Sequence, residues 1–336
     1  DNKMLLATLK KIEEIVSLKT AFNVFTTNMP VDIPKTFSKI ITNDINFKKI
    51  INYAAKLAMT DCSILINGAT GTGKELFAES IHNESLRRDK NLVPVNITAI
   101  PKNLFESVLF GHKKGAFTGA YNDEEGLIKK ADGGSLFLDE IGDLDIENQV
   151  KLLRLIDSKE YYPVGSNKTE YSDFRLITAT NKNLKEAVEN GNFRADLYYR
   201  LKSGYIYLPT LNERGTDIFI IAKELIKRFS NKYNNPKELS TEFIFELQYM
   251  NFLGNFRELY SLIEEAYLKS ANNLITKDFL HSLNLPKTYS VLTFCSLKEN
   301  QIKNALQNAE TKEKAAELLG ISRAQLYRYI KKFGIK

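Results

Sequence analysis

The chain predicts an α/β fold, a mostly parallel sheet flanked by helices, followed by a smaller α-helical region and a helical tail. Three observations predict it. Short apolar runs at Ser63–Ile66, Leu92–Val95, Ser135–Leu138, Arg175–Ala179 and Tyr205–Leu208 alternate with stretches of helical spacing, the order expected of strands crossed over by helices. A Gly-rich segment joins the first run to a helical stretch carrying Leu76, Phe77 and Ile81. From Asp217 to Leu285 the spacing is helical with no clear strand.

Taken from the start, Leu5, Leu9, Ile12 and Val16 form a short apolar seam suited to pairing with another helix or to docking on its own domain, and Pro30 and Pro34 mark a linker. A chain that begins at Asp1 is expected to be a piece of a longer protein. The expected division is 1–34 for that helix and linker, 35–210 for the α/β region, 211–285 for the helical region, 286–297 for a second linker and 298–336 for the tail. At 336 residues, 43% hydrophobic and 26% charged, the composition is ordinary for about two soluble domains. No apolar run reaches membrane-spanning length, there is no secretory signal pattern, and Cys62 and Cys295 make no disulfide framework, so a reducing cytoplasm is expected.

The Gly-rich segment, "GATGTGKE", runs through Gly68, Ala69, Thr70, Gly71, Thr72, Gly73, Lys74 and Glu75. Its glycines let the backbone curl so that amide N–H groups point at phosphate oxygens, while Lys74 reaches the outer phosphates and the following helix adds its positive end. Such loops usually carry Ser or Thr where Glu75 stands. A second element compensates. Leu136-Phe137-Leu138 reads as a buried strand ending in Asp139 and Glu140, which in a parallel sheet emerge beside the loop. Asp139 is placed to hold Mg²⁺ and Glu140 to activate water. Because Mg²⁺ needs only one or two protein carboxylates besides phosphate oxygens and water, loss of a hydroxyl ligand need not abolish the site.

Glycines at 111, 115 and 119 bracket Phe117 and Thr118 in a segment that cannot form a regular helix, so an aromatic side chain is expected at an exposed tip suited to contact. The tail has nine basic and four acidic residues from Val291 to Lys336. Two helices are expected there around a turn at Gly320-Ile321, with Ser322 as N-cap of the second, and Ala315, Leu318 and Leu319 facing Leu326, Ile330 and Phe333. That leaves Arg323 and Gln325 for base edges and Arg328, Lys331 and Lys332 for phosphates, a helix-turn-helix.

In that order, "GATGTGKE", "GAFTGA", "ADGGSLFLDE", "FRADLYYRL" and "GNFREL" resemble the AAA+ P-loop ATPase domain of bacterial sigma-54-dependent, NtrC-like transcription activators, and the tail resembles the Fis-type domain that ends many of them. The resemblance implies that Glu75 is a family trait and that Gly115, Ala116, Phe117, Thr118, Gly119 and Ala120 contact sigma-54. It implies a switch role for Asn96, γ-phosphate sensing by Thr180 and Asn181, arginines offered to a neighbouring subunit in Arg194 and Arg200, and a second sensor in Arg257 on a helical lid. It further implies ATP and Mg²⁺ as cofactors, sigma-54 RNA polymerase and enhancer DNA as partners, assembly from dimer to hexamer or heptamer, and no membrane. The family prefers an acidic or amide residue at Ala69 and an aromatic-Pro pair at Phe252-Leu253, where this chain departs. The rival reading is a DNA-binding regulator whose ATP site serves assembly alone.

Overall fold

The computed structural model describes residues 32–215, 217–247 and 250–282, with Leu306 and Lys312. The seam at Leu5, Leu9, Ile12 and Val16 lies outside the described residues, as do the tail helices and the six DNA-binding candidates Ser322, Arg323, Gln325, Arg328, Lys331 and Lys332. Two units are distinguished. The first contains residues up to Ile221 together with Gly254–Ser261, and the second contains Ala222–Leu253 and residues from Leu262 onward.

The first unit runs α1 (Ile45–Ala58), β1 (Ile64–Gly68), α2 (Lys74–Glu84), β2 (Leu92–Asn96), α3 (Phe105–Phe110), β3 (Gly111–His112), β4 (Glu124–Glu125), α4 (Leu127–Lys130) and β5 (Ser135–Asp139). It continues through α5 (Ile146–Ser158), β6 (Glu160–Tyr161), β7 (Glu170–Tyr171), β8 (Arg175–Thr180), α6 (Leu184–Glu189), α7 (Ala195–Leu201) and β9 (Gly204–Leu208). All five expected strands form, in the order β2-β5-β8-β1-β9, and every neighbouring pair is parallel. Strand β5 is buried from Ser135 through Leu138, which explains the continuous apolar run Leu136-Phe137-Leu138, whereas the edge strand β9 alternates and turns Tyr205 and Tyr207 outward.

Side chains of period two divide between two cores. Ile64, Ile66, Phe137, Ile177 and Ala179 meet α1 and α2 on one face, and Leu65, Leu136, Leu138 and Leu176 meet α5 and α7 on the other. Asp44, Asp145 and Asn183 start α1, α5 and α6 by accepting the N–H three residues on. At the other end of α1 the buried Arg175 guanidinium donates to the carbonyls of Ala58 at 2.6 Å and Leu57 at 2.7 Å, satisfying helix-terminal acceptors with a cation where the dipole favours one.

Two antiparallel hairpins, β3–β4 and β6–β7, stand outside the parallel sheet and were not expected. Strands of two residues are too short for any hydrophobic period to mark them. The second unit requires a correction for the same reason. It holds the rest of α8 (Asp217–Tyr233), then β10 (Glu238–Leu239), α9 (Thr241–Leu247), the later turns of α10 (Asn255–Lys269), β11 (Leu274–Ile275) and α11 (Asp278–Ser282). Strands β10 and β11 form a parallel pair where none was expected. Around it Tyr267 stacks on Tyr233 with ring centroids 5.5 Å apart, and buried Lys237 donates to the carbonyls of Tyr267 and Ser270 near the end of α10.

Candidate nucleotide site and contact loop

The loop after β1 has the curl its glycines imply. Gly71 and Gly73 lie at φ +78° and +93°, the left-handed region that favours glycine. Thr72 ties the turn by donating its hydroxyl to Ala69 O at 2.8 Å. The helix α2 begins at Lys74, as expected, and the buried Lys74 ammonium donates to Gly68 O at 3.1 Å. Glu75 occupies the first turn of α2, where the helix dipole favours a carboxylate.

The acid pair emerges beside this loop. Glu140 Oε1 lies 3.8 Å from Lys74 Nζ, and Asn181 donates its backbone N–H to Glu140 Oε2 at 3.4 Å. Glu140 itself takes the left-handed conformation, φ 55°, and its N–H is held by Asp139 Oδ1 at 2.9 Å. A non-glycine residue rarely adopts that geometry, and such strain concentrates at functional sites. Asn181 also donates from Nδ2 to Thr70 Oγ1 at 3.2 Å, so the end of β8 touches both the loop and the acid. Thr180 is buried and its hydroxyl accepts from Lys182 N. Asn96 sits opposite Asp139 in the sheet register, and its side-chain oxygen accepts from both the N–H and the hydroxyl of Thr98.

Sequence reasoning missed Asn255. This residue is 1% exposed at φ 53°, and its amide donates to Thr70 O at 2.8 Å while its oxygen accepts from Leu211 N at 2.8 Å. The only signal available was its place between Gly254 and Arg257 in "GNFREL". Phe256 adds a backbone N–H to Gly71 O at 3.0 Å. Arg257, two residues after Asn255, begins close enough that a Cβ on Gly71 would lie 3.4 Å from its own.

Arg194 and Arg200 are each paired with a carboxylate of the α5–α7 region. Arg194 makes two contacts to Asp196, at 2.7 and 3.1 Å, and this hydrogen-bonded pairing raises its pKa and lowers that of Asp196. Arg200 pairs with Asp157 at 3.0 Å near the end of α5, half exposed. Both guanidiniums therefore face solvent on the surface of the first unit.

Hairpin β3–β4 carries the glycine-bracketed loop. Ala120 N donates to Phe117 O and Gly115 N to Ala120 O, closing a compact turn, with Gly115 and Gly119 at φ +83° and +107°. Below it Asp123 accepts from Lys114 N at 2.8 Å and Lys113 Nζ at 2.9 Å, contacts that hold its carboxyl below the usual range. Thr118 is exposed, and Phe117 is 39% exposed with its ring 5.0 Å from that of buried His112, whose Nδ1 bonds Ser107 Oγ at 2.8 Å. The expected exposed tip is thus an aromatic resting on an anchored histidine. Hairpin β6–β7 lies alongside, joined by Val164 N to Gly111 O and Lys113 N to Val164 O, with a polar groove between that includes Asp123, Glu124, Lys129 and Glu170.

Residues 40–207 match the sigma-54 interaction domain, residues 212–289 the AAA+ ATPase lid domain, and residues 299–333 the bacterial regulatory protein, Fis family. The chain belongs to the sigma-54-dependent activator family. Within this family it is 40% identical over 292 residues to the alginate biosynthesis transcriptional regulatory protein AlgB of Pseudomonas syringae, covering 85% of this chain and 65% of that protein. It is 36% identical over 297 residues to the transcriptional regulatory protein GlrR of Escherichia coli, covering 87% of this chain and 67% of that one. The chain therefore spans about two thirds of the length of these two relatives. NtrX from Brucella abortus in complex with ATP is a structural neighbour at 26% identity and TM-score 0.66, covering 100% of this chain and 76% of NtrX. For this activator-family chain, the loop, the acid pair and the Phe117 hairpin fall inside the first match, Arg257 inside the second, and Arg323 and Gln325 inside the third. Among the described residues no helix is long and apolar enough to cross a membrane.

Proposed function

We propose that the chain is the ATP-hydrolysing and DNA-binding part of a sigma-54-dependent activator, acting in the cytoplasm as a ring on enhancer-like DNA. Residues 35–210 and 211–285 would form the ATPase and its lid, and 298–336 the DNA-binding domain. The observation that carries the reading is the convergence of Lys74, Glu140 and Asn181 on one phosphate-type loop at the carboxyl ends of parallel strands.

In this reading the backbone N–H groups of Gly68 to Lys74 cradle the phosphates, and Lys74 exchanges its bond to Gly68 O for the outer phosphate oxygens. Asp139, at the strand end beside the loop, supplies the hard oxygen that suits Mg²⁺, which when bound with ATP would neutralise charge on the β- and γ-phosphates. Glu140 takes the proton of the attacking water, and Asn181, bonded to it, registers the γ-phosphate. Arg194 and Arg200, exposed on the surface, serve the site of the neighbouring subunit, since a guanidinium keeps its charge and binds phosphate bidentately. Asn96, whose side-chain oxygen is taken by Thr98, couples the state of the acid pair to the loop of Phe117 and Thr118, which engages sigma-54.

Glu140→Gln tests the chemistry. It should retain ATP binding and lose at least about a hundredfold in turnover, the usual worth of a positioned base. Unchanged turnover would remove Glu140 from that role. Promoter opening by sigma-54 polymerase, with and without ATP, tests the output, and ATP-dependent assembly without promoter opening would favour a regulator whose ATP site serves assembly alone.

A further inference from the structure

We infer that Asn255 is a positioning residue of the nucleotide site, a clasp that holds the phosphate loop in its anion-receptive shape and sets the origin of Arg257; the inference rests on the nucleotide-site reading above. A loop that receives anions must turn its N–H groups inward, which requires its carbonyls to face away and find donors elsewhere. Two consecutive carbonyls of this loop find them at the start of α10. Thr70 O accepts from Asn255 Nδ2 at 2.8 Å, and Gly71 O accepts from Phe256 N at 3.0 Å.

The anchor is rigid on the other side. Asn255 Oδ1 accepts from Leu211 N at 2.8 Å, just beyond β9, so one buried carboxamide ties the loop, the chain after the edge strand and the first turn of α10. Both ends of the amide are used, and the backbone is left-handed at φ 53°, a conformation asparagine tolerates better than most residues. The approach is close. A Cβ built on Gly71 would lie 2.1 Å from Gly254 O, so no side chain fits between loop and clasp. Arg257 follows two residues later on the same turn, and its reach is fixed from this point. Asn255 itself contacts only backbone groups in these bonds, so its role is exerted through the loop.

The test measures binding of ribose-labelled fluorescent ADP and ATP to the full chain, with circular dichroism to verify folding. Asn255→Gly keeps the left-handed backbone and removes both bonds. Asn255→Asp keeps the acceptor for Leu211 N, loses the donor and sets a carboxylate against Thr70 O. Both should bind nucleotide roughly tenfold more weakly, and although the buried carboxylate facing Thr70 O should give Asn255→Asp the lower melting temperature of the two, its affinity should not fall correspondingly further than that of Asn255→Gly. A purely structural role would instead make affinity follow melting temperature across the two. If the unmutated chain binds neither nucleotide, the site reading falls and the inference with it. If it binds and both variants stay within about twofold, or weaken only in proportion to lost stability, the inference alone is overturned.

Discussion

Gly71 and Gly73 form a matched pair that isolates the contact between the phosphate loop and the start of α10. Both have positive φ, +78° and +93°, so replacing either by Ala incurs a left-handed penalty of roughly 1–2 kcal/mol. Their surroundings differ. A Cβ at Gly73 meets nothing within 4 Å, whereas one at Gly71 falls 2.1 Å from Gly254 O and 3.1 Å from Gly254 C. Those are backbone atoms, which cannot swing aside as the end of a long side chain could. To reach ordinary contact the two backbones must part by more than an ångström, and the bonds Phe256 N to Gly71 O and Asn255 Nδ2 to Thr70 O stretch beyond useful range. At about 0.5–1.5 kcal/mol for each bond, Gly71→Ala should destabilise by about 2–5 kcal/mol. Gly73→Ala should stay near the left-handed penalty alone. Urea unfolding of nucleotide-free protein, followed by circular dichroism, measures both. Equal midpoint shifts would refute the argument, because they would mean the Gly71–Gly254 approach carries no energy.

Three other outcomes follow from the packing. Burial pushes the His82 pKa below 6.5; its Nε2 donates to Lys90 O and its Nδ1 accepts from Ser135, so the folded chain keeps the ring neutral. As pH falls below 6.5 the unfolded chain binds a proton that the folded one refuses, so stability should decline there and show no His82 contribution above it. Unfolding midpoints from about pH 8 to about pH 5 should show that decline in the unmutated chain and a smaller one in His82→Gln. Asp217→Ala removes a fully buried carboxylate that accepts from Thr42 Oγ1, Asn43 N and Asp44 N and lies 3.7 Å from buried Arg214, and leaving that cation uncompensated should cost roughly 3–5 kcal/mol by denaturant unfolding; a loss under about 1 kcal/mol would show that water reaches Arg214. Phe117→Ala should leave ATP turnover and melting temperature near those of the unmutated chain, since the ring is 39% exposed, while abolishing sigma-54 promoter opening; retained opening would remove Phe117 from the contact.

Strands β1, β5 and β8 were legible because burial on both faces leaves mainly apolar runs, the edge strands β2 and β9 because Val93, Val95, Tyr205, Ile206 and Tyr207 are β-type residues, and the phosphate loop because its conformation demands glycine at fixed places. The acid pair was legible for a related reason. Strand β5 had to end somewhere, and Asp139 and Glu140 are the first charged residues after its apolar core. The hairpins and the β10–β11 pair were not, since two residues carry no period.

The harder failures concern residues that act on backbone groups far along the chain. Asn255 meets Thr70 and Leu211, Arg175 meets Leu57 and Ala58, and Asp217 meets Asn43 and Asp44. In each pair one partner is a peptide group, which every residue possesses and no sequence pattern distinguishes. A polar side chain that is to be buried must find such a group, but the fold alone decides which. Asn96 shows the converse. Its place at the end of β2 was legible, yet the Thr98 hydroxyl and N–H that occupy its oxygen lie two residues away, in a turn that forms only after the strand stops. With that oxygen engaged, the donor end of the carboxamide is what remains for a carboxylate on the neighbouring strand. The turn after β2 therefore bears on the proposed coupling between the acid pair and the Phe117 loop as directly as Asn96 does, and Thr98→Ala, which deletes one of the two bonds, should keep ATP turnover while weakening ATP-dependent promoter opening; opening equal to that of the unmutated chain would remove the turn from that coupling.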